Sequence, residues 1–289
     1  MDYLYLAASV FFVASANIIC NIYSRKNSKR WSIEPLYNML MLSSVFVCWL
    51  VMYLFDRSFD IGVIPYALIF ALGYTVCIYG TIKALKTGSV MLTSLFGQVS
   101  LIVVSIWGFF FWGEDFTWLT GIGLLFTVVS LWLCLYNGRS KAGNRLNFKY
   151  IVYLAMVLFG NAGCSIAQRT QQIKFDGKYG NFLMVVATGV SLIAFVVLYL
   201  RSDKRDSKVI AKGSWYLPAA SGALNVLLNL FVIILATSKL SPSLIYPTLA
   251  VGSLIVTTIV SLFIFKERMR WWQWVGVALG VAATGILSI

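Results

Sequence analysis

Residues 88–136 read GSVMLTSLFGQVSLIVVSIWGFFFWGEDFTWLTGIGLLFTVVSLWLCLY, and this stretch decides the fold class. It consists of two apolar runs on either side of a short acidic turn, Glu114-Asp115. Each run has about the 20 residues that an α-helix needs to cross the hydrocarbon core of a bilayer. The strands of an outer-membrane barrel instead alternate apolar and polar residues over about ten residues. The stretch therefore predicts two transmembrane helices.

Runs of the same kind recur along the whole chain. We expect ten spans, near residues 3–23, 36–55, 62–84, 88–112, 117–136, 149–169, 180–200, 214–236, 242–265 and 271–288. Only 11% of the 289 residues are charged, whereas a soluble domain carries about 25%. The composition thus predicts an all-α membrane protein with ten transmembrane helices, placed in the inner membrane with the lipid bilayer as its surroundings.

The net charge of +13 is distributed unevenly among the connections. Of the 23 Lys and Arg residues, 18 follow spans 1, 3, 5, 7 and 9. The positive-inside rule then places these connections in the cytoplasm and both termini outside it. Because the basic residues lie in short connections and not on one face, we expect no nucleic-acid partner.

The chain repeats itself at two closely related offsets. An offset of 153 residues aligns Ser100-Leu101-Ile102-Val103 with Ser253-Leu254-Ile255-Val256, and an offset of 148 aligns Tyr5-Leu6-Ala7 with Tyr153-Leu154-Ala155. The predicted halves are residues 1–137 and 149–289, joined by a basic loop at 138–148. Since each half has five spans, the two have opposite orientations. Such inverted repeats enclose a substrate site at their two-fold axis, although a duplication can also merely enlarge a protein.

Within this repeat, a second pattern is recognisable. Its first copy runs from Ala84-Leu85-Lys86 through Gly113-Glu114 to Gly123; its second runs from Lys239 to Pro242, through Pro247 and Lys266-Glu267-Arg268, to Gly276 and Gly285. The pattern resembles the EamA-like repeat of the drug/metabolite transporter superfamily. The resemblance implies secondary transport of amino acids, drugs, sugars or other small metabolites. The first copy departs from it, with Ser94 where the second has Pro247.

Polar residues recur at helical spacing within several spans. Asn161, Ser165, Gln168 and Gln172 share one face of span 6, and Asn225 and Asn229 share one face of span 8. Transfer of an unpaired amide into hydrocarbon costs about 4–8 kcal/mol, so these helix faces avoid lipid. They either bond neighbouring helices or line a polar cavity. The predicted substrate-binding residues are Asn17, Asn21, Tyr74, Tyr79, Gln98, Asn161, Ser165, Gln168, Arg169, Asn225, Asn229 and Tyr246.

Other chemistry finds little support. The chain has no His, its five Cys lack metal-ligand spacing, and its ten acidic residues lie at span ends or in connections. We therefore expect no catalytic residues, no metal and no cofactor, and we do not expect an enzyme. Proton relays in membranes generally use buried carboxylates, so uniport or exchange is favoured over proton antiport.

The sequence thus predicts a transporter of a small polar, zwitterionic or aromatic metabolite such as an amino acid. Transport would proceed by alternating access at a central cavity between the repeats. The alternative is an exporter of cationic drugs or quaternary ammonium compounds such as choline, held by aromatic side chains. The expected partners are a small-molecule substrate and the lipid bilayer, and the expected assembly is a monomer or homodimer.

Overall fold

The computed structural model describes residues 1–27, 33–87, 90–135, 148–202, 207–264 and 270–287. Within these ranges the regular secondary structure is entirely helical. The 3-10 turn Ile61–Val63 precedes the third of eleven α-helices. The helices are α1 (Asp2–Lys26), α2 (Ile33–Asp56), α3 (Ile64–Thr87), α4 (Val90–Phe111), α5 (Trp118–Leu135), α6 (Phe148–Lys174), α7 (Gly180–Leu200), α8 (Ser207–Ser214), α9 (Tyr216–Ala236), α10 (Pro242–Ile264) and α11 (Trp271–Leu287).

Ten of these helices overlap the ten apolar runs. By length and composition, α1, α2, α3, α6, α7 and α9 are suited to cross a membrane, and α4, α5, α10 and α11 contain shorter apolar segments. The predicted loop at 138–148 lies almost wholly outside the described residues. The described part of the chain is thus an all-helical protein of membrane type.

Two helices differ from the sequence prediction. Helix α6 continues to Lys174, about one turn beyond the predicted end of span 6. The polar residues of this last turn, Gln171 and Gln172, are fully buried, so protein and not lipid surrounds them. The additional helix α8 is only eight residues long and carries Lys208 and Lys212, which makes it too short and too polar to be a span.

Large apolar side chains are exposed on many helices. Phe110, Trp118 and Phe148 have more than three quarters of their surface accessible. A water-soluble monomer rarely exposes so much apolar surface, whereas a protein surrounded by lipid does so on every lipid-facing helix. The exposure agrees with the composition.

Contacts group the described helices into two compact units. Apart from the first two residues, unit 1 comprises Tyr3–Thr75 and Ala167–Thr237. In this unit α2 packs against α7 and α9. One core cluster consists of Tyr23, Leu36, Tyr37 and Met41. Interhelical hydrogen bonds add to the packing: the Ser44 hydroxyl donates to the Ala219 carbonyl at 3.0 Å.

Unit 2 comprises Val76–Ile166 and Ser238–Ile289. Its core includes Leu95, Ile102, Leu124, Leu131, Ala250 and Val251, from α4, α5 and α10. Helices α5 and α11 approach closely at two glycines. A β-carbon on Gly123 would lie 2.6 Å from Cγ of Leu287, and one on Gly276 would lie 2.8 Å from Sγ of Cys134. Small residues permit this approach, as is usual between membrane helices.

Candidate functional site

Three amide side chains form a hydrogen-bonded cluster in unit 1, on α6 and α9. Nε2 of Gln168 donates to Oδ1 of Asn229 at 3.4 Å. Nδ2 of Asn229 in turn donates to Oδ1 of Asn225 at 3.0 Å and to the carbonyl of Asn225 at 2.9 Å. We call Gln168, Asn225 and Asn229 the amide cluster. Asn225 and Asn229 are only half-buried, so part of their hydrogen-bonding surface remains accessible.

Arg169 follows the amide cluster on α6 and is 6% exposed. A charge buried in a helix of membrane type costs several kcal/mol, on the order of 3 at the bilayer centre, unless polar groups surround it. Arg169 thus brings a guanidinium group into the buried part of this unit, next to the amide cluster in sequence.

Polar groups continue from the amide cluster towards the end of α6. Gln171 and Gln172 lie three and four residues after Gln168, which puts them near the same face of the helix. Nε2 of Gln172 donates to Oε1 of Gln171, whose own Nε2 donates to the carbonyl of Lys178 at 2.9 Å. Oε1 of Gln172 is buried and has no hydrogen-bond partner among the described residues. These side chains extend the cluster into a polar column.

The column ends beside a cavity of about 430 Å³. We call it the Asp56–Lys178 cavity; its lining consists of Asp56, Ser58, Gly177, Lys178, Tyr179, Gly180, Asn181 and Ile233. All of these residues belong to unit 1. A volume of this size is within the usual range of small-molecule sites, which is about 300–1,000 Å³.

The wall between the cavity and the amide cluster is thin. Gly180 and Ile233 line the cavity, and a β-carbon on Gly180 would lie 3.2 Å from Cγ2 of Ile233 and 3.1 Å from Nε2 of Gln172. Ile233 comes one helical turn after Asn229 on α9, and Gln172 one turn after Gln168 on α6. The amide cluster therefore lies one turn deeper than the wall on both helices.

The connection from α6 to α7 is held by backbone hydrogen bonds. The Gly177 N–H donates to the carbonyl of Gln172 at 2.8 Å, and the Lys178 N–H to that of Phe175 at 2.9 Å. Gly177 has φ +77° and Tyr179 has φ +61°. The left-handed conformation is easy for glycine but costs a larger residue on the order of 1 kcal/mol or more. Tight bonding thus fixes the cavity wall in a strained shape.

Three further predicted site residues belong to unit 1. Asn17 on α1 is exposed, and the side chain of Asn21 lies outside what the structure describes. Tyr74 on α3 is half-buried and stacks on Phe70, with the ring centroids 6.0 Å apart.

Five predicted site residues lie in unit 2. Nδ2 of Asn161 donates to Oγ of Ser100 at 2.6 Å and to the carbonyl of Gly97 at 3.1 Å, which joins α6 to α4. Nζ of Lys83 lies 5.4 Å from the ring centroid of Tyr79. Tyr246 is buried, whereas Gln98 and Ser165 are half-buried. For Asn161 the interhelical hydrogen bond anticipated as an alternative is present.

Sequence reasoning did not select Asp56, Lys178 or Asn181, which line the cavity. Asp56 and Lys178 lie in connections that bound the predicted spans, and Asn181 lies at the start of predicted span 7. One signal was available: the connections after spans 2 and 6 share a predicted side of the membrane, so their charges were candidates to meet. Among the residues that the structure describes, no three His, Cys, Asp or Glu side chains are grouped so that they could hold a metal ion.

Comparisons with known proteins give the fold but no activity. No family model matches the chain. An uncharacterized protein of Haemophilus influenzae is 23% identical over 202 residues, which covers 70% of this chain and 67% of that protein. A crystal structure of a protein that is 12% identical matches 99% of this chain and 95% of its own with a TM-score of 0.72. This chain therefore shares its whole helical fold with a protein solved by crystallography.

Proposed function

We propose that this chain is an EamA-like secondary transporter of a small metabolite that bears a carboxylate, with amino acids as the first class to test. The observation that carries the proposal is the polar column of unit 1. It leads from the Asp56–Lys178 cavity, past Gln171 and Gln172, to the amide cluster. A transporter needs an approach and a deeper polar site, and the column has both.

The chemistry of the column favours a carboxylate over a quaternary ammonium ion. Arg169 is positive and buried, and the amide N–H groups of Gln168 and Asn229 are donors. Choline and cationic drugs would instead require aromatic faces or a carboxylate at depth. Of the predicted aromatic site residues, Tyr79 and Tyr246 belong to unit 2, and Tyr74 stacks on Phe70.

We further propose that the chain crosses the membrane ten times as two inverted five-helix repeats. The contacts between α5 and α11 support this. Gly123 meets Leu287 while Gly276 meets Cys134, and the 153-residue offset exchanges these two pairs. A reciprocal contact of this kind is the mark of a two-fold axis. With five spans in each half, that axis lies in the membrane plane, as alternating access requires.

Both predicted repeats contribute residues to the lining of the Asp56–Lys178 cavity. Asp56 and Ser58 come from the first predicted repeat, and the other lining residues come from the second. It would therefore open at a seam between the repeats, on the predicted non-cytoplasmic side. Rocking of the repeats would move Asp56 and Ser58 relative to the other lining residues and so open and close the cavity.

A counterflow experiment tests the proposal. Proteoliposomes loaded with unlabelled amino acids are offered each labelled amino acid in turn, and labelled choline in parallel. We expect saturable, counterflow-stimulated uptake of at least one amino acid and none of choline. Uptake of choline without uptake of any amino acid would indicate a transporter of organic cations instead. No uptake at all, or flux that does not saturate, would contradict secondary transport.

The amide cluster is tested by substitution. Gln168→Leu and Asn229→Leu each remove hydrogen bonds of roughly 1.5 kcal/mol to a charged group, so we expect about a tenfold fall in counterflow. The matched control is Thr188→Val on α7, because the buried Thr188 hydroxyl donates only to the carbonyl of Met184 in its own helix at 2.6 Å. If Gln168→Leu and Asn229→Leu take up as much substrate as Thr188→Val at equal incorporation into the liposomes, the amide cluster has no role in transport.

A further inference from the structure

We infer that the Asp56–Lys178 cavity is itself a binding site, selective for α-amino acid zwitterions, that loads the column. The delivery of ligand from this cavity to the column rests on the proposed function. The binding site itself stands on the geometry of the cavity.

Two opposite charges line the cavity without neutralising each other. Asp56 and Lys178 are both exposed, and they form no ion pair with each other. The Ser58 hydroxyl and Nδ2 of Asn181 donate to the Asp56 carboxylate at 2.6 and 3.2 Å, and both use Oδ2. Oδ1 is left without a donor among the described residues. It is an acceptor available to the ammonium group of a ligand.

Lys178 and the start of α7, where Asn181 donates to Asp56, form a second part of the lining that is suited to a carboxylate. Lys178 supplies an ammonium group, and Gly180 and Asn181 begin α7, whose first backbone N–H groups have no partner inside the helix. The residue preceding the helix is Tyr179, and its side chain makes no capping hydrogen bond. The partial positive charge of a helix start attracts anions. Side-chain charge and helix start therefore favour the same group.

A second polar feature lies behind the same wall. Nε2 of Gln172 lies 3.1 Å from the position of a β-carbon on Gly180, and Oε1 of this fully buried residue has no described hydrogen-bond partner. Buried polar atoms are normally bonded, so Oε1 of Gln172 is an acceptor available to a donor such as a ligand ammonium group. A zwitterion moving inwards would meet it next after Asp56.

A ligand with only one charged group would bind either the Asp56 carboxylate or the Lys178 ammonium group, but not both. A zwitterion places an ammonium group and a carboxylate on one carbon, and it satisfies Asp56 and Lys178 together. The apolar lining residue, Ile233, and the ring of Tyr179 leave room for an amino acid side chain. The cavity thus distinguishes amino acids from simple acids and amines.

Equilibrium binding to the purified protein tests the inference. The probe is tritiated L-phenylalanine, and the competitors are 3-phenylpropanoate and 2-phenylethylamine, which each lack one charged group. We expect saturable binding, with each competitor weaker than unlabelled L-phenylalanine by about tenfold, since a charge-assisted hydrogen bond is lost. Equal competition by either single-charge analogue would overturn the zwitterion assignment.

The variants are Asp56→Asn and Lys178→Gln, each expected to weaken binding about tenfold. The matched controls are Asp60→Asn and Lys174→Gln. Asp60 is in the same connection as Asp56, and asparagine can still accept the Gly62 N–H that Oδ1 of Asp60 accepts at 2.7 Å. Lys174 is exposed, four residues before Lys178. If the controls weaken binding as much as the variants, any nearby change of charge has the same effect, and Asp56 and Lys178 do not form a specific binding site.

The same assay separates this inference from the proposed function. Gln168→Leu changes the amide cluster and none of the residues that line the cavity. Binding that is lost in Gln168→Leu but kept in Asp56→Asn and Lys178→Gln would overturn the inference and leave transport intact. Binding with the expected pattern, but without counterflow of any amino acid, would instead reject the transporter and leave the binding site.

Discussion

At the scale of single residues, glycines decide how closely helices pack. A β-carbon on Gly222 of α9 would lie 2.6 Å from the carbonyl oxygen of Met41 and 2.9 Å from Cβ of Ser44, both on α2. Neither neighbour is the end of a flexible chain, so any larger residue must push the helices apart. A β-carbon on Gly163 of α6, in contrast, would have no neighbouring atom within 4 Å.

These two glycines therefore respond oppositely to alanine. Gly222→Ala should destabilise the protein by about 1–3 kcal/mol through overpacking. Gly163→Ala should stabilise it by up to about 1 kcal/mol, because alanine is the better helix former. Thermal unfolding in detergent measures both. A lower midpoint for Gly163→Ala than for Gly222→Ala would contradict the packing described for α2 and α9.

At the scale of elements, the short helix α8 depends on α1. Nζ of Lys26 donates to the carbonyl of Gly213 at 3.0 Å and to the Tyr216 hydroxyl at 3.2 Å. Nδ2 of Asn27 lies 3.4 Å from Oγ of Ser214. A positive group at the end of a helix satisfies carbonyls that have no partner within it. Because α8 has only eight residues, it needs such external contacts to remain helical.

Removal of the Lys26 ammonium group should loosen α8. We expect Lys26→Met to accelerate hydrogen exchange in residues 207–214 several-fold, whereas Lys26→Arg keeps a donor and should exchange nearly as slowly as the parent. Exchange in α7 should not change in either variant. Acceleration in α7 as well would indicate a general loss of stability and not the loss of this one contact.

At the scale of the whole molecule, the reciprocal contacts of α5 and α11 predict two cross-links. Gly276→Cys should form a disulfide with the natural Cys134, and the pair Gly123→Cys and Leu287→Cys should form its counterpart, after the other cysteines are replaced by alanine. A disulfide requires β-carbons about 3.5–4.5 Å apart, which these contacts allow.

A protease site inserted between residues 138 and 148 makes the cross-link visible. Cleavage separates α5 from α11 unless a disulfide joins the fragments on a non-reducing gel. The control is Gly285→Cys with Cys134, because a β-carbon on Gly285 meets no atom within 4 Å. If only one of the two expected disulfides forms, the two-fold relationship fails.

Sequence reasoning found the helices because a bilayer demands about 20 apolar residues wherever the chain crosses it. It failed at the end of α6, where hydropathy ends at Arg169 while the helix continues to Lys174. Tertiary neighbours bury Gln171 and Gln172 there, and no local pattern reports on such neighbours. Gln168, Asn225 and Asn229 were predicted because helical spacing is a local property. Asp56 and Lys178 were not, since only tertiary structure brings them to one cavity.

The contact of Ile233 with Gly180 has a consequence for the range of solutes. In the proposed transport route, the branched side chain of Ile233 opposite the backbone of Gly180 would act as a size filter, and one substitution would change its width. Valine or alanine at position 233 would widen it and phenylalanine would narrow it, with every polar group of the column unaltered. Relatives with this architecture could thus diverge in the bulk of the cargo they accept while keeping the same chemistry of recognition.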